Sequence, residues 1–175
     1  MKKAINTIAL ISILLVGLVS CENNGYEDFT QVNTPSVALN GEWYVQTLYN
    51  GKVVVDYKLI STYDTAANGA EMWVDDNGNI WNFKCKSPVN VDALTFTGNK
   101  LASSVVDDDP KTPNVIETYD INVNITEGKV IKNGATSTGG QTVDAIQFKA
   151  EFSDDPGSIY EIKGYKRTGF EEDEH

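Results

Sequence analysis

From Asn40 onward, apolar and polar side chains alternate in short runs separated by turn residues, which is the pattern of half-buried β-strands. The first run, Glu42 to Tyr49, sets Trp43, Val45 and Thr47 on one face and Tyr44, Gln46 and Leu48 on the other. Asn50-Gly51 follows it, a dipeptide suited to a type I′ hairpin because both positions need positive φ. Lys52 to Ile60 returns with Val53, Val55, Tyr57 and Leu59 in alternation. A second hairpin is predicted from Glu71–Asp75 through Asp76-Asn77-Gly78-Asn79 to Ile80–Lys86, and a third from Val91–Thr97 through Gly98-Asn99 to Lys100–Val106. Ile116 to Ile125 alternates most cleanly, with Tyr119, Ile121, Val123 and Ile125 apolar and Asp120, Asn122 and Asn124 polar between them. Glu127-Gly128 reads as a turn into Lys129–Asn133, and Gly134 to Thr142 as a long flexible loop. Ile146, Phe148, Ala150 and Phe152 then share one face of a further strand, and Pro156-Gly157 fits the centre of a type II turn before a last strand from Ser158 to Arg167. After the first residues of the chain, no long window repeats at helical spacing. Mostly tight connections between so many short strands predict an all-β fold, an up-and-down antiparallel barrel of about 8 to 10 strands that closes to remove its edges. A barrel of that size encloses either packed side chains or one small ligand.

The N-terminal pattern is different. Lys2 and Lys3 precede an apolar run from Ala4 to Val19, shorter than the ~20 residues a bilayer span needs, and so read as a secretory signal. Leu18-Val19-Ser20-Cys21 resembles the lipobox of bacterial lipoproteins, in which the cysteine thiol receives a diacylglyceryl group and the chain is cut just before it. The expected organisation is a lipoprotein signal peptide over 1–20, a flexible tether over 21–38, a β-barrel domain over 39–170 and a solvated acidic tail over 171–175. The acidic residues after Cys21 also resemble the export signal that sends lipoproteins of Bacteroides-type bacteria to the outside of the outer membrane. The expected location is therefore the outer membrane, lipid-anchored and facing the cell exterior.

Charge and side-chain chemistry narrow the function. The chain has 14 Lys and Arg against 25 Asp and Glu, a net charge of −11; without Lys2 and Lys3 the balance is 12 against 25, or −13. Such acidity favours solubility and disfavours nucleic acid, which needs a basic face. With Cys21 lipidated, Cys85 has no partner, so no disulfide holds the fold, and a buried, unreactive thiol is expected. His175 is the only histidine and lies at the last position, which argues against Ser-His-Asp or Cys-His catalysis and against a histidine-based zinc site. Asp75-Asp76-Asn77-Gly78-Asn79 lacks the glycine and glutamate positions of a calcium loop and reads as a turn. Asp107-Asp108-Asp109 offers oxygen ligands for a hard cation but reads first as a solvated loop. No metal or cofactor is expected. Trp43, Val45, Trp73, Trp81, Phe83 and Phe148 are the candidates for lining a ligand cavity, since apolar sites are mostly aromatic and aliphatic. Thr65, between Asp64 and Ala66 in a loop, resembles the O-glycosylation sites of Bacteroides-type exported proteins. The alternative is that its neighbourhood simply shapes a turn.

A longer resemblance joins several of these segments. Gly41-Glu42-Trp43, the stretch from Ser61 to Gly69, Met72-Trp73-Val74-Asp75-Asp76, Trp81-Asn82-Phe83-Lys84 and Gly164-Tyr165-Lys166-Arg167-Thr168-Gly169-Phe170 together resemble the lipid-binding putative hydrolase family of Bacteroides lipoproteins. The resemblance covers roughly residues 39–172 and implies a lipocalin-like barrel and a lipid ligand. The hydrolase part of the family's description finds no nucleophile and base here, so no catalytic residue is assigned. Three functions follow in order: a membrane-anchored lipoprotein whose barrel binds a lipid or other small apolar ligand, a non-catalytic surface accessory protein that contacts a protein partner or glycan through its loops, and a hydrolase of unidentified mechanism. A cavity lined from alternating strand faces, including Trp43 and Trp81, favours the first; a solidly packed interior favours the second.

Overall fold

The alternating runs become strands in the computed structural model, which describes residues 34–67, 69–107, 117–118 and 121–175. Ten strands occur among them: β1 Gly41–Tyr49, β2 Lys52–Asp64, β3 Glu71–Asp75, β4 Lys84–Asn90, β5 Thr95–Ala102, β6 Val106–Asp107, β7 Glu117–Thr118, β8 Asn122–Thr136, β9 Thr142–Phe152 and β10 Tyr160–Lys166. Eight close into an antiparallel barrel in the order β1-β10-β9-β8-β5-β4-β3-β2, and β6 and β7 form a separate two-stranded ladder. Apart from that excursion the barrel is a meander, with β1 and β10 joined along the closing seam from Trp43–Lys166 to Tyr49–Tyr160. Asn50 and Gly51 both have positive φ, 50° and 76°, as the first hairpin requires.

The inward faces fill the barrel. Trp43, Val45, Ile60, Met72, Val74, Phe83, Cys85, Phe96, Val123, Ile125, Phe148, Phe152 and Ile162 belong to one buried cluster, which Leu39 joins from a 3-10 turn at Val37–Leu39. The indole of Trp43 donates to Thr62 Oγ1 at 2.8 Å, and that hydroxyl donates to the Leu39 carbonyl at 2.6 Å, so these three buried polar groups satisfy one another. Residues 34–38, the end of the expected tether, pack onto the barrel: the hydroxyls of Thr34 and Ser36 both donate to the Asp64 carboxylate. Cys21, the rest of the tether, the signal segment and Asp108-Asp109 lie outside the described residues.

Several turn signals serve another purpose. Gly98-Asn99 was expected to end a strand, but β5 runs through it; Gly98 pairs with Ile125, and the register slips before Leu101 at Lys100, whose φ is 51°. The actual reversal lies between β4 and β5, where Leu94 has φ 53° and the Ala93 amide donates to Asn90 Oδ1 at 2.9 Å. Glu127-Gly128 is a bulge inside β8 and not a turn; a side chain on Gly128 would overlap the Phe96 carbonyl of the neighbouring strand. The long loop expected over Gly134–Thr142 contracts to a reversal between Thr136 and Thr142. The strand expected over Ile80–Lys86 begins only at Lys84, because residues 76–83 wrap around a buried carboxylate.

The tail is also docked, contrary to its expected solvation. Asp173 is fully buried and accepts bonds from the Thr168 hydroxyl at 2.7 Å, the Thr138 hydroxyl at 3.0 Å and the Gly139 amide. Burial alone would raise its pKa, but these bonds and one from Ser137 outweigh it and hold the carboxyl at about 2. Glu174 takes the Tyr44 hydroxyl and two nitrogens of Arg167, and His175 stacks on Tyr57 at 4.5 Å with its Nε2 2.6 Å from the Tyr165 hydroxyl.

Candidate functional site

One loop organises the barrel end that carries the Asn50-Gly51 hairpin. Asp76, without solvent exposure, accepts four backbone amides: Gly78 at 2.8 Å and Phe83 at 3.0 Å on Oδ1, Ile80 at 3.1 Å and Trp81 at 2.7 Å on Oδ2. Its own amide donates to the Phe83 carbonyl at 3.0 Å, closing the loop. Asn77 and Gly78 make the reversal with φ 52° and 71°, and the side-chain amides of Asn77 and Asn79 donate to the Leu59 carbonyl of β2 at 3.2 and 2.8 Å. A segment that pattern reading would extend into a strand is thereby held as a fixed lid over the barrel mouth, with Ile80 and Trp81 at its tip.

Trp81 stacks on Phe152 at 4.6 Å with the rings 2° from parallel, and its Nε1 donates to the Asp154 carboxylate at 3.1 Å. Tyr160 is tilted against it at 5.2 Å and donates its hydroxyl to Asp155 at 2.7 Å; that bond raises the phenol's pKa. Tyr49 lies 5.3 Å from Tyr160 across the β1–β10 seam. Between these rings and the hairpin is a pocket of about 250 Å³ lined by Thr47, Tyr49, Val54, Val55, Ile80, Trp81 and Tyr160. Its wall opens because the β1–β2 register slips on both sides of Thr47. Val53, Val54 and Ile159, each at least half exposed, belong to the hairpin and to the approach to β10 at the same end.

The cavity candidates divide. Trp43, Val45, Phe83 and Phe148 are at most 1 % exposed within the packed cluster, so no water-sized space adjoins them. Trp81 alone of the six lines the mouth pocket. Trp73 lies on the outer face of β3, between inward Met72 and Val74, with the ammonium groups of Lys84 and Lys86 5.1 and 5.0 Å from its ring. Thr65 is 8 % exposed; its hydroxyl accepts the Ala67 amide at 3.1 Å and donates to the Glu71 carbonyl at 3.3 Å, the turn-shaping geometry. Cys85 is buried, and burial pushes its thiol up to about 12, keeping it protonated. Among the described residues no group of three metal-ligating side chains comes together, and His175 lies against the Tyr44 and Tyr57 rings with its Nε2 on the Tyr165 hydroxyl.

Thr47, Tyr49, Val54, Val55, Ile80 and Tyr160 were not among the candidates. The usable signal was Val53-Val54-Val55, a run that breaks the period of two exactly where the hairpin wall is irregular.

No curated protein matches this chain. A family model described as lipid-binding putative hydrolase matches residues 28–171, which spans every barrel strand and the whole mouth pocket. The chain therefore belongs to the lipid-binding putative hydrolase family.

Proposed function

We propose that this protein is a membrane-anchored lipoprotein that holds a lipid or other small apolar ligand at the mouth of its barrel, and not in the barrel's interior. The observation that carries the reading is the pocket at the hairpin end: aliphatic and aromatic walls, a rigid lid and no charged side chain among its lining residues. Its volume of about 250 Å³ lies just under the roughly 300 Å³ at which sites for drug-sized molecules begin, so it suits one end of a lipid better than a whole one. Family membership supports a lipid ligand. The lipobox-like Leu18-Val19-Ser20-Cys21 supports an anchor at Cys21 and a place on the outer membrane, facing outward.

The direct test uses N-phenyl-1-naphthylamine, a neutral probe that fluoresces in apolar sites. It should bind the wild-type protein and be displaced by medium-chain lipids, and Trp81→Ala or Val54→Ser should weaken it by several-fold. Unchanged binding in both variants contradicts the assignment. For the anchor, Cys21→Ser should abolish partition into detergent; membrane retention after signal cleavage contradicts it.

A second reading, an accessory protein that contacts a partner through this end, is favoured by the filled interior and by the exposed Val53, Val54 and Ile159. It predicts that no small ligand competes for the pocket.

A further inference from the structure

Resting on the assignment of the mouth pocket, we infer that its ligand is a chain amphiphile that enters by its apolar end and leaves its polar head at the rim, beside Tyr49 and Val54. The lining divides by depth. Thr47 is 2 % exposed, Val55, Ile80, Trp81 and Tyr160 are half-buried, and Tyr49 and Val54, 36 % and 53 % exposed, stand at the opening.

The side-chain polar groups of the deeper residues are turned to the protein. The Thr47 hydroxyl oxygen is covered too closely for water to touch it, so it offers the cavity nothing. Trp81 Nε1 donates to Asp154 and the Tyr160 hydroxyl to Asp155, and neither acceptor lines the pocket. The lid amides of Ile80 and Trp81 are bound to Asp76. In the backbone ladders Thr47 pairs with Val55, and Tyr49 with Tyr160. What is left for a ligand lies at the rim: the Tyr49 hydroxyl, and the backbone of Val54, which the register skips between Thr47–Val55 and Leu48–Val53. A hydroxyl, carboxylate or amine pushed to the floor would shed its water and meet no side-chain partner, whereas a methyl-ended chain gives up nothing there and gains burial against Val55, Ile80 and Trp81. At the rim the head keeps its water, so the pocket selects for the chain end.

The test is displacement of N-phenyl-1-naphthylamine at pH 7.5 and low salt by two isomers, 1,2-octanediol, which keeps a free methyl end, and 1,8-octanediol, which carries a hydroxyl at both ends. The wild type should bind the 1,2 isomer tighter by about tenfold or more, because the 1,8 isomer must bury a hydroxyl without a partner. The place of the head is read from the ratio of octanoate to 1-octanol affinity in two rim variants, a ratio in which the lost apolar contact of Val54 cancels. Val54→Lys should raise that ratio by about two- to fivefold and Val54→Glu should lower it by as much, the worth of one exposed charge pair. A smaller preference between the diols, or a ratio that does not move in opposite directions in the two variants, overturns the inference while leaving the pocket assignment intact. Failure of the wild type to bind the naphthylamine or 1-octanol overturns both.

Discussion

Replacing Asp76 by Asn separates the two things this carboxylate does, stabilising the fold and positioning the lid. The carboxylate accepts two backbone amides on each oxygen. Asparagine keeps one acceptor and turns an NH₂ group toward the other two amides, so two charge-assisted bonds are lost in a site with no solvent exposure. At about 1.5–3 kcal/mol each, the loss is about 3–6 kcal/mol, a large share of the 5–15 kcal/mol typical of a domain. For a domain of this size that lowers Tm by about 6–20 °C. If the lid opens locally, the thermal loss is smaller, because global stability then falls only by the cost of opening, but Ile80 and Trp81 leave the pocket. Thermal unfolding by circular dichroism and probe titration on the same preparation read both effects. A variant that melts within about 2 °C of wild type and binds the probe unchanged refutes the role given to Asp76.

Thr62→Val leaves the Trp43 indole N–H and the Leu39 carbonyl without their partner and should cost about 1–3 kcal/mol in urea unfolding, with mouth-pocket binding preserved. Gly164→Ala should cost about 3 kcal/mol or more, read as lost soluble yield or a lowered Tm, because a Cβ there overlaps the Tyr44 carbonyl across the closing seam; Gly51→Ala, with nothing nearby and φ 76°, should cost about 1 kcal/mol. Asp173 is depressed from an ordinary 3.8 to about 2, so its support for the docked tail is present above about pH 4 and is lost as pH falls toward 2. A carboxyl NMR titration should place its midpoint near 2, and a midpoint near 4 refutes the buried anchor. Cys85, raised to about 12, acts in the opposite direction: its stabilisation is complete below the unfolded thiol pKa of about 8.5 and is lost as pH rises toward 12.

The parts legible in the sequence are those set by local periodicity. Trp43, Val45 and Thr47 do share the inward face, Asn50-Gly51 does turn the first hairpin, and the number of short strands does close into a barrel. Gly98-Asn99 and Glu127-Gly128 carry the same turn chemistry but lie within β5 and β8, where an adjacent strand captures the backbone and the glycine relieves a close approach; such a partner is distant in sequence and leaves no local mark. Asp76 looked like one turn residue among several, because its value depends on four amides converging only after folding. The charged tail looked solvated for the same reason: Asp173 has its partners on Thr138, Gly139 and Thr168. Of the cavity candidates, Trp43, Val45, Phe83 and Phe148 fill the interior, Trp73 lies outside it and Trp81 reaches the pocket, which adjoins the stretch where the β1–β2 pairing slips.

The central claim, that ligand binds at the mouth of a filled barrel, is tested most directly by the tryptophan indole N–H signals in a ¹H–¹⁵N NMR titration with 1-octanol. Trp81 lines the pocket, Trp43 is sealed in the core on Thr62, and Trp73 is on the outer face. The account predicts that the Trp81 signal moves with the backbone amides of Val54, Val55 and Ile80 while those of Trp43 and Trp73 stay in place. Movement centred on Trp43 and Phe148, or no movement at any of the three indoles, contradicts it.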